Sequence, residues 1–347
     1  MKKRRSAALA RIQGVATKGR PVQRRIDPRE IGAGSRANGR TSGRPGGQPR
    51  RVVVRKANAR DWIGGARLRT LPLAIAPVAL GTATAHLVGD GGWHWVRALL
   101  ALAVALALQI GVNYANDYSD GVRGTDKNRV GPSRLTGSGA AKPRTVLAVA
   151  LVFFGIGALA GLALVITSGY YWLLAVGAVS IVAAYFYTGG KRPYGYYALG
   201  EVFVFIFFGI VATVGTTYTQ VGSAVPFETW IAATAAGFFA CAVLMVNNIR
   251  DIAQDKLSKK RTLAVLVGSR AARVIFTIFV LLPYLILVFF AYFYPKSALV
   301  YFTLLLSLPA IIITLTGKTA PEFILALKLA SLAALVFGLG LAWAIAF

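Results

Sequence analysis

Residues 96–120 read Val96-Arg-Ala-Leu-Leu-Ala-Leu-Ala-Val-Ala-Leu-Ala-Leu-Gln-Ile-Gly-Val-Asn113-Tyr-Ala-Asn116-Asp117-Tyr-Ser-Asp120. Up to Val112 the side chains are almost all apolar, and no proline interrupts them. A helix of about 20 such residues crosses the roughly 30 Å of hydrocarbon in a bilayer. The last two turns then change character and carry amide and carboxylate oxygens. The stretch therefore predicts a membrane span over 96–116 whose end opens into polar chemistry.

Working outward, eight further apolar stretches of similar length lie near 70–88, 145–167, 170–187, 198–219, 227–248, 271–293, 297–316 and 324–346. The fold class predicted is all-α, a polytopic membrane protein with a nine-helix bundle. Pro72, Pro77, Pro283 and Pro309 fall inside predicted spans, where neighbouring helices can satisfy the freed carbonyls, so kinks rather than breaks are expected. The composition agrees: of 347 residues 56% are hydrophobic and 15% charged, against roughly 25% charged in soluble domains. The lone Cys241 cannot close an intramolecular disulfide, and His86 and His94 lack the partners of a zinc or haem site.

The net charge of +27 is unevenly spread. Residues 1–60 hold 18 Lys and Arg against Asp27 and Glu30, with many Gly, Ser and Pro. That composition predicts a disordered basic arm before a folded domain over 61–347. The arm suits contact with anionic lipid; an organelle transit peptide or nucleic-acid binding fits the same composition with less specificity, and no nucleic-acid partner is expected. With a cytoplasmic N-terminus, nearly all loop Lys and Arg fall on the cytoplasmic side, against Arg97 and Lys296 on the other. The positive-inside rule favours that orientation, in a cell membrane.

Ten acids follow residue 60, and five of them cluster at two span ends. At about 100° per residue, Asn113, Asp117 and Asp120 share one helical stripe, with Asp126 in the loop beyond. Asn247, Asp251 and Asp255 repeat the pattern at i, i+4 and i+8. Carboxylates at the centre of a lipid-facing helix are costly, so this clustering implies an aqueous cavity or bound cations. Two oxygen-rich stripes suit Mg²⁺, which commonly joins one or two carboxylates to substrate phosphate. A diphosphate substrate follows. The plainer alternative is that Arg123, Arg129, Arg250 and Lys256 pair with these acids as solvated salt bridges. A third connection, Tyr185-Phe-Tyr187-Thr-Gly-Gly-Lys191-Arg192-Pro-Tyr194-Gly-Tyr196, offers cations for phosphate and aromatic rings for a ring substrate or a carbocation. Interfacial anchoring explains the same residues.

At these three segments the chain resembles the UbiA superfamily of intramembrane aromatic prenyltransferases, over essentially residues 60–347. Within it, Asn116-Asp117-Tyr118-Ser-Asp120-Gly, Gly124-Thr125-Asp126, Pro193-Tyr194-Gly195-Tyr196, Asn247-Asn248-x-Arg250-Asp251 and Thr262-Leu263-Ala264-Val265 are similar to the MenA group, the 1,4-dihydroxy-2-naphthoate polyprenyltransferases. Arg69-Thr70-Leu71-Pro72 fits as well. The long basic arm and Lys259-Lys260-Arg261 depart from the family pattern. The resemblance implies a Mg²⁺-dependent enzyme that joins a polyprenyl diphosphate to 1,4-dihydroxy-2-naphthoate with loss of CO₂. It implies Asp117, Asp120, Asp251 and Asp255 as catalytic, with Asn113 and Asn247 completing the metal ligands. Substrate contacts are expected from Asn113, Asn116, Arg69, Arg123, Asp126, Tyr187, Lys191, Arg192, Tyr194, Asn247, Arg250 and Lys260.

Rival classes fit less of the sequence, a soluble-type prenyl diphosphate synthase among them, since its Asp-Asp-x-x-Asp does not occur. A CDP-alcohol phosphotransferase shares Asp117-Tyr-Ser-Asp120-Gly121 but lacks the rest of that motif. A cation-coupled transporter would place its acids nearer the bilayer midplane.

Overall fold

The computed structural model describes residues 55–88, 94–126 and 134–347. The predicted arm falls on residues 1–60; its first 54 lie outside the described residues. Residues 55–60 join the folded body: Asn58 caps α1 (Ala59–Gly65) in a capping box with Asp61, Arg55 pairs with Asp61 at 2.9 Å, and the Ala57 amide donates to the Ala140 carbonyl.

After α1 the chain breaks at Arg67, whose φ of 54° is left-handed, and turns through Leu68–Thr70 into α2 (Pro72–Ala85). The two pieces are bent by 45°. Pro72 stands at the first position of α2, at the bend of this pair, where its missing N–H costs nothing. The long helices are α3 (Trp95–Arg123), α4 (Pro143–Ser168), α6 (Gly200–Val221), α7 (Phe227–Leu257), α8 (Leu263–Phe293), α9 (Pro295–Thr316) and α10 (Ala320–Ala346). Between α4 and α6 runs a shorter apolar helix, α5 (Leu173–Phe186). Among the described residues seven helices are long and apolar enough to cross a membrane, and the bent pair makes eight. The predicted span over 170–187 is the exception. Gly169, at φ 80°, ends α4, and the chain turns through Tyr171 and Trp172 before α5, leaving a 14-residue helix.

Pro77, Pro283 and Pro309 are carried inside helices without a break at the proline, as expected, whereas α8 is interrupted at Gly268, at φ 81°. Large apolar side chains such as Leu159, Leu285, Leu305 and Tyr292 face outward. In water that surface would drive association; in lipid it is ordinary. The core gathers around α7, whose Ala232, Ala233, Ala235, Ala240 and Ala242 are buried and let α2, α8 and α10 approach closely. In α6, Phe205–Val211 is a π-helical segment. There Gly209 lies so near Ala233 and Gly237 that a Cβ would sit 2.7 Å from their backbone atoms. Two arginines close helix ends: Arg97 donates to Thr167 and Thr219 carbonyls, and Arg273 to those of Thr314, Leu315 and Gly317.

Candidate active site

Both acidic stripes lie on helix ends that continue past the apolar runs. The polar end of α3 stays helical until Gly124, at φ 75°, stops it. α7 likewise runs on through Asp251 and Asp255 to Leu257. Beside these ends opens a cavity of about 340 Å³. Along α3 its lining reaches from Asp120 back to Ala101, some 28 Å at 1.5 Å per residue. Its walls are apolar, including Val78, Val104, Leu108, Phe207 and Leu164. Its polar head carries Arg69, Asn113, Asn116, Asp120, Tyr187, Tyr194, Asn247 and Lys260, all anticipated from sequence, together with Arg134 and Asn248.

Asp120 is the carboxylate at this head, buried and doubly held. The Tyr196 hydroxyl donates to one oxygen at 2.7 Å, and the Arg134 guanidinium pairs with the other at 2.9 Å. Arg134 also reaches Asp126 at 3.3 Å and donates to the Asn116 carbonyl at 2.8 Å. Burial alone would pull the Arg134 pKa down, but Asp120, Asp126 and Asp117 outweigh it and raise it, so the cation is locked on. Tyr196 sits between two cations, with Arg123 5.3 Å and Lys260 5.0 Å from its ring centre. Burial first, then the Asp120 charge, push its phenol above the ordinary range.

Asp117 does not line the cavity. Its two oxygens accept from the Leu135 and Thr136 backbone amides at 2.9 and 2.8 Å, which anchors the returning loop. Each oxygen keeps a further lone pair, so this anchoring is compatible with a metal-ligand role. Asn113 donates to the Ala66 carbonyl, tying α3 to the break after α1, while Asn116 accepts from Thr188. Arg123 donates to the Thr188 and Gly190 carbonyls, so its guanidinium braces the loop after α5. Lys191 and Arg192 in that loop are exposed and are not among the cavity residues. Tyr194 donates to the Ala183 carbonyl and stacks on Phe203 at 4.1 Å.

On the second stripe, Asp251 is forked by neighbouring Arg250 at 2.6 and 2.7 Å. Asp255 accepts from Thr262 and lies 3.9 Å from Lys260. Asn248 donates to buried Glu201 at 3.0 Å. The stripes are clasped together: Gln254 and Ser258 both donate to the Thr125 carbonyl, and the Arg261 amide to that of Tyr196.

Among the described residues no group of three His, Cys, Asp or Glu side chains forms a metal cage. The head of the cavity instead offers hard oxygen donors, the Asp120 carboxylate and the amides of Asn113, Asn116 and Asn247. Such a set fits Mg²⁺ shared with substrate phosphate and not a self-sufficient site. Arg134 escaped the sequence reading because its partners lie 8 to 18 positions upstream, a separation that no helical spacing reports.

The chain is 53% identical over 63% of its length to a 1,4-dihydroxy-2-naphthoate octaprenyltransferase of Mycobacterium tuberculosis, covering 74% of that protein. It is 40% identical to the protein of the same name from Escherichia coli, over 61% of this chain and 70% of the relative. In fold it is similar to a UbiA homolog from Archaeoglobus fulgidus solved with GPP and Mg²⁺, with a TM-score of 0.56 at 15% identity, covering 79% of this chain and 99% of that one. Residues 74–320, which contain both acidic stripes and most of the cavity lining, match the UbiA prenyltransferase family, and the chain belongs to that family.

Proposed function

We propose that this chain transfers a polyprenyl group from an allylic polyprenyl diphosphate to 1,4-dihydroxy-2-naphthoate, releasing CO₂ and diphosphate and forming the quinol of demethylmenaquinone, which a separate two-electron oxidation converts to the quinone. The observation that carries this reading is the joining of one polar head, Asp120 with Asn116, Arg134 and Lys260, to a long apolar cavity. A diphosphate belongs at the head and a hydrocarbon tail along α3. The names of the relatives at 53% and 40% identity support the naphthoate as acceptor.

In this mechanism Asn113, Asn116, Asp120 and Asn247, with Asp251 and Asp255 on the second stripe, would hold Mg²⁺, and the chemistry it would supply when bound is Lewis-acid neutralisation of the diphosphate charge. Arg134 and Lys260 take charge-assisted hydrogen bonds to the nonbridging oxygens. As the carbon–oxygen bond breaks, an allylic cation forms beside Tyr187, Tyr194 and Phe203, whose ring faces stabilise it without reacting as bases. The apolar walls keep water from capturing it. Arg69, at the break before α2, faces the same head and suits the acceptor's carboxylate. The ring carbon then attacks, the prenyl bond forms, and the carboxylate leaves as CO₂. We further place the head on the cytoplasmic side of the cell membrane, since the basic connections gather there, and assign the basic arm to anionic lipid.

A competition assay tests the acceptor. Purified protein given Mg²⁺, an allylic diphosphate and equal amounts of 1,4-dihydroxy-2-naphthoate and 4-hydroxybenzoate should prenylate the naphthoate preferentially. A second ring adds apolar contact at about 25 cal/mol per Å², and a slot shaped for two rings holds one loosely. Equal or preferential use of the benzoate would overturn the assignment of acceptor while leaving the diphosphate chemistry standing.

A further inference from the structure

Arg134 is the cation that the head of the cavity holds in common with its acids. One guanidinium contacts Asp120, Asp126 and the Asn116 carbonyl, and it is buried with both carboxylates. Its loop is fixed from two sides. Asp117 holds the Leu135 and Thr136 amides, and Gly137 lies against Asp126 so closely that a Cβ there would meet the Asp126 Cβ at 2.6 Å. The backbone is therefore pinned while the side chain reaches into space shared with Asn116 and Asp120. A divalent ion approaching Asp120 by itself meets a positive charge already seated there. A diphosphate approaching with its metal offers that guanidinium a better-matched partner, because the planar fork of arginine fits phosphate oxygens in pairs.

We propose that Arg134 is a resident counter-cation for Asp120 and Asp126 that transfers to the diphosphate as metal and substrate arrive together, so that metal alone binds weakly and the pair binds cooperatively. The inference rests on the prenyl diphosphate reading for its ligand, and it adds an order of assembly that the reading does not contain. Arg134 is here a positioning residue for the acids before binding and a diphosphate contact after it.

The test uses the full chain in detergent and Mn²⁺ as the metal probe, with free Mn²⁺ followed by electron paramagnetic resonance and no prenyl substrate present. Wild type should bind Mn²⁺ weakly, and inorganic diphosphate should tighten that binding strongly. Arg134→Gln should bind Mn²⁺ alone at least about tenfold more tightly, the scale on which an adjacent charge shifts a carboxylate's cation affinity, and should lose most of the tightening by diphosphate. Arg134→Lys keeps the charge but cannot fork across two acids, so a smaller tightening is expected. It serves as the deciding variant if the glutamine form does not fold. Mn²⁺ binding in the folded variants no tighter than in wild type would overturn the proposal. Because no turnover is needed, that result is separable from a failure of the prenyl-transfer reading, which would show as absence of product from the wild type.

Discussion

Asp117→Asn removes a carboxylate that the structure uses as an anchor for the 134–137 loop. Both oxygens accept backbone amides, and the side chain is 2% exposed. An asparagine can accept from one of those amides, but it turns its own NH₂ toward the other. The change forfeits a charge-assisted hydrogen bond, about 1.5–3 kcal/mol, and strands a buried N–H, about 1–3 kcal/mol. A loss of roughly 3–5 kcal/mol follows, and at about 2 °C per kcal/mol for a body of this size the midpoint should fall by some 6–10 °C. Cys241 supplies the assay, since it is the sole cysteine and is buried, so a thiol-reactive fluorophore reports its release on heating. Asp120→Asn is the control. Its asparagine still accepts from Tyr196, and Arg134 keeps Asp126 and the Asn116 carbonyl, so the midpoint should drop by less while turnover falls by orders of magnitude. An Asp117→Asn protein that melts like wild type yet has lost turnover would show that the carboxylate serves the metal and not the loop.

Tyr196→Phe deletes the bond to Asp120 without emptying the space between Arg123 and Lys260. kcat/KM should fall about 10- to 100-fold and the midpoint by about 3–6 °C, each equivalent to one charge-assisted hydrogen bond of about 1.5–3 kcal/mol. Because the folded phenol titrates above its ordinary value, its stabilisation is complete below about pH 10 and is lost only as pH rises beyond that. The difference in melting between wild type and Tyr196→Phe should therefore be flat from about pH 6 to 9, and a slope in that window would contradict the assignment. Arg273→Ala uncaps three carbonyls at the end of α9 and should cost about 3 kcal/mol in the same thiol-release assay, with KM values unchanged. Gly209→Ala forces a methyl against the Ala233 and Gly237 backbone, so a loss of about 1–3 kcal/mol is expected. Since Phe207 and Phe208 of the same π-helical segment line the cavity, the KM for the prenyl donor should rise with it.

The membrane class was legible because long apolar runs have few other physical solutions. Helix ends were less so. A hydropathy criterion stops where polar residues begin, yet α3 and α7 remain helical through Asp120 and Asp255, because Asp, Gln, Arg and Lys are compatible with a helix that has left lipid. The same criterion extended the run over 170–187, where Gly169 and the following turn shorten the helix. The two stripes were readable from spacing, and the structure clasps them together at the head of the cavity. Spacing reports which residues share a face, not which of them a distant loop engages. Hence Asp117, indistinguishable from Asp120 on the helical wheel, proves to anchor Leu135 and Thr136, and Arg123, read as a substrate contact, braces the Thr188 and Gly190 carbonyls. Lys191 and Arg192, expected as phosphate contacts beside the tyrosines of the same connection, lie exposed.

The shortness of α5 reaches beyond the protein. Its 14 residues rise about 21 Å, some 9 Å less than an average hydrocarbon core. Lipid in contact with this wall of the cavity must thin, or the helix must draw in the headgroup region, and each Å of mismatch costs a fraction of a kcal/mol. The seven long helices impose no such demand, and α2, equally short, is almost wholly buried in the bundle. The bundle is thus surrounded by an annulus of uneven thickness, thinnest against the helix whose Leu173, Val176 and Gly177 face the cavity. Thicker, sterol-like bilayers would squeeze that flank and thinner ones would relax it, which makes acyl-chain length of the host membrane a variable in the behaviour of this protein.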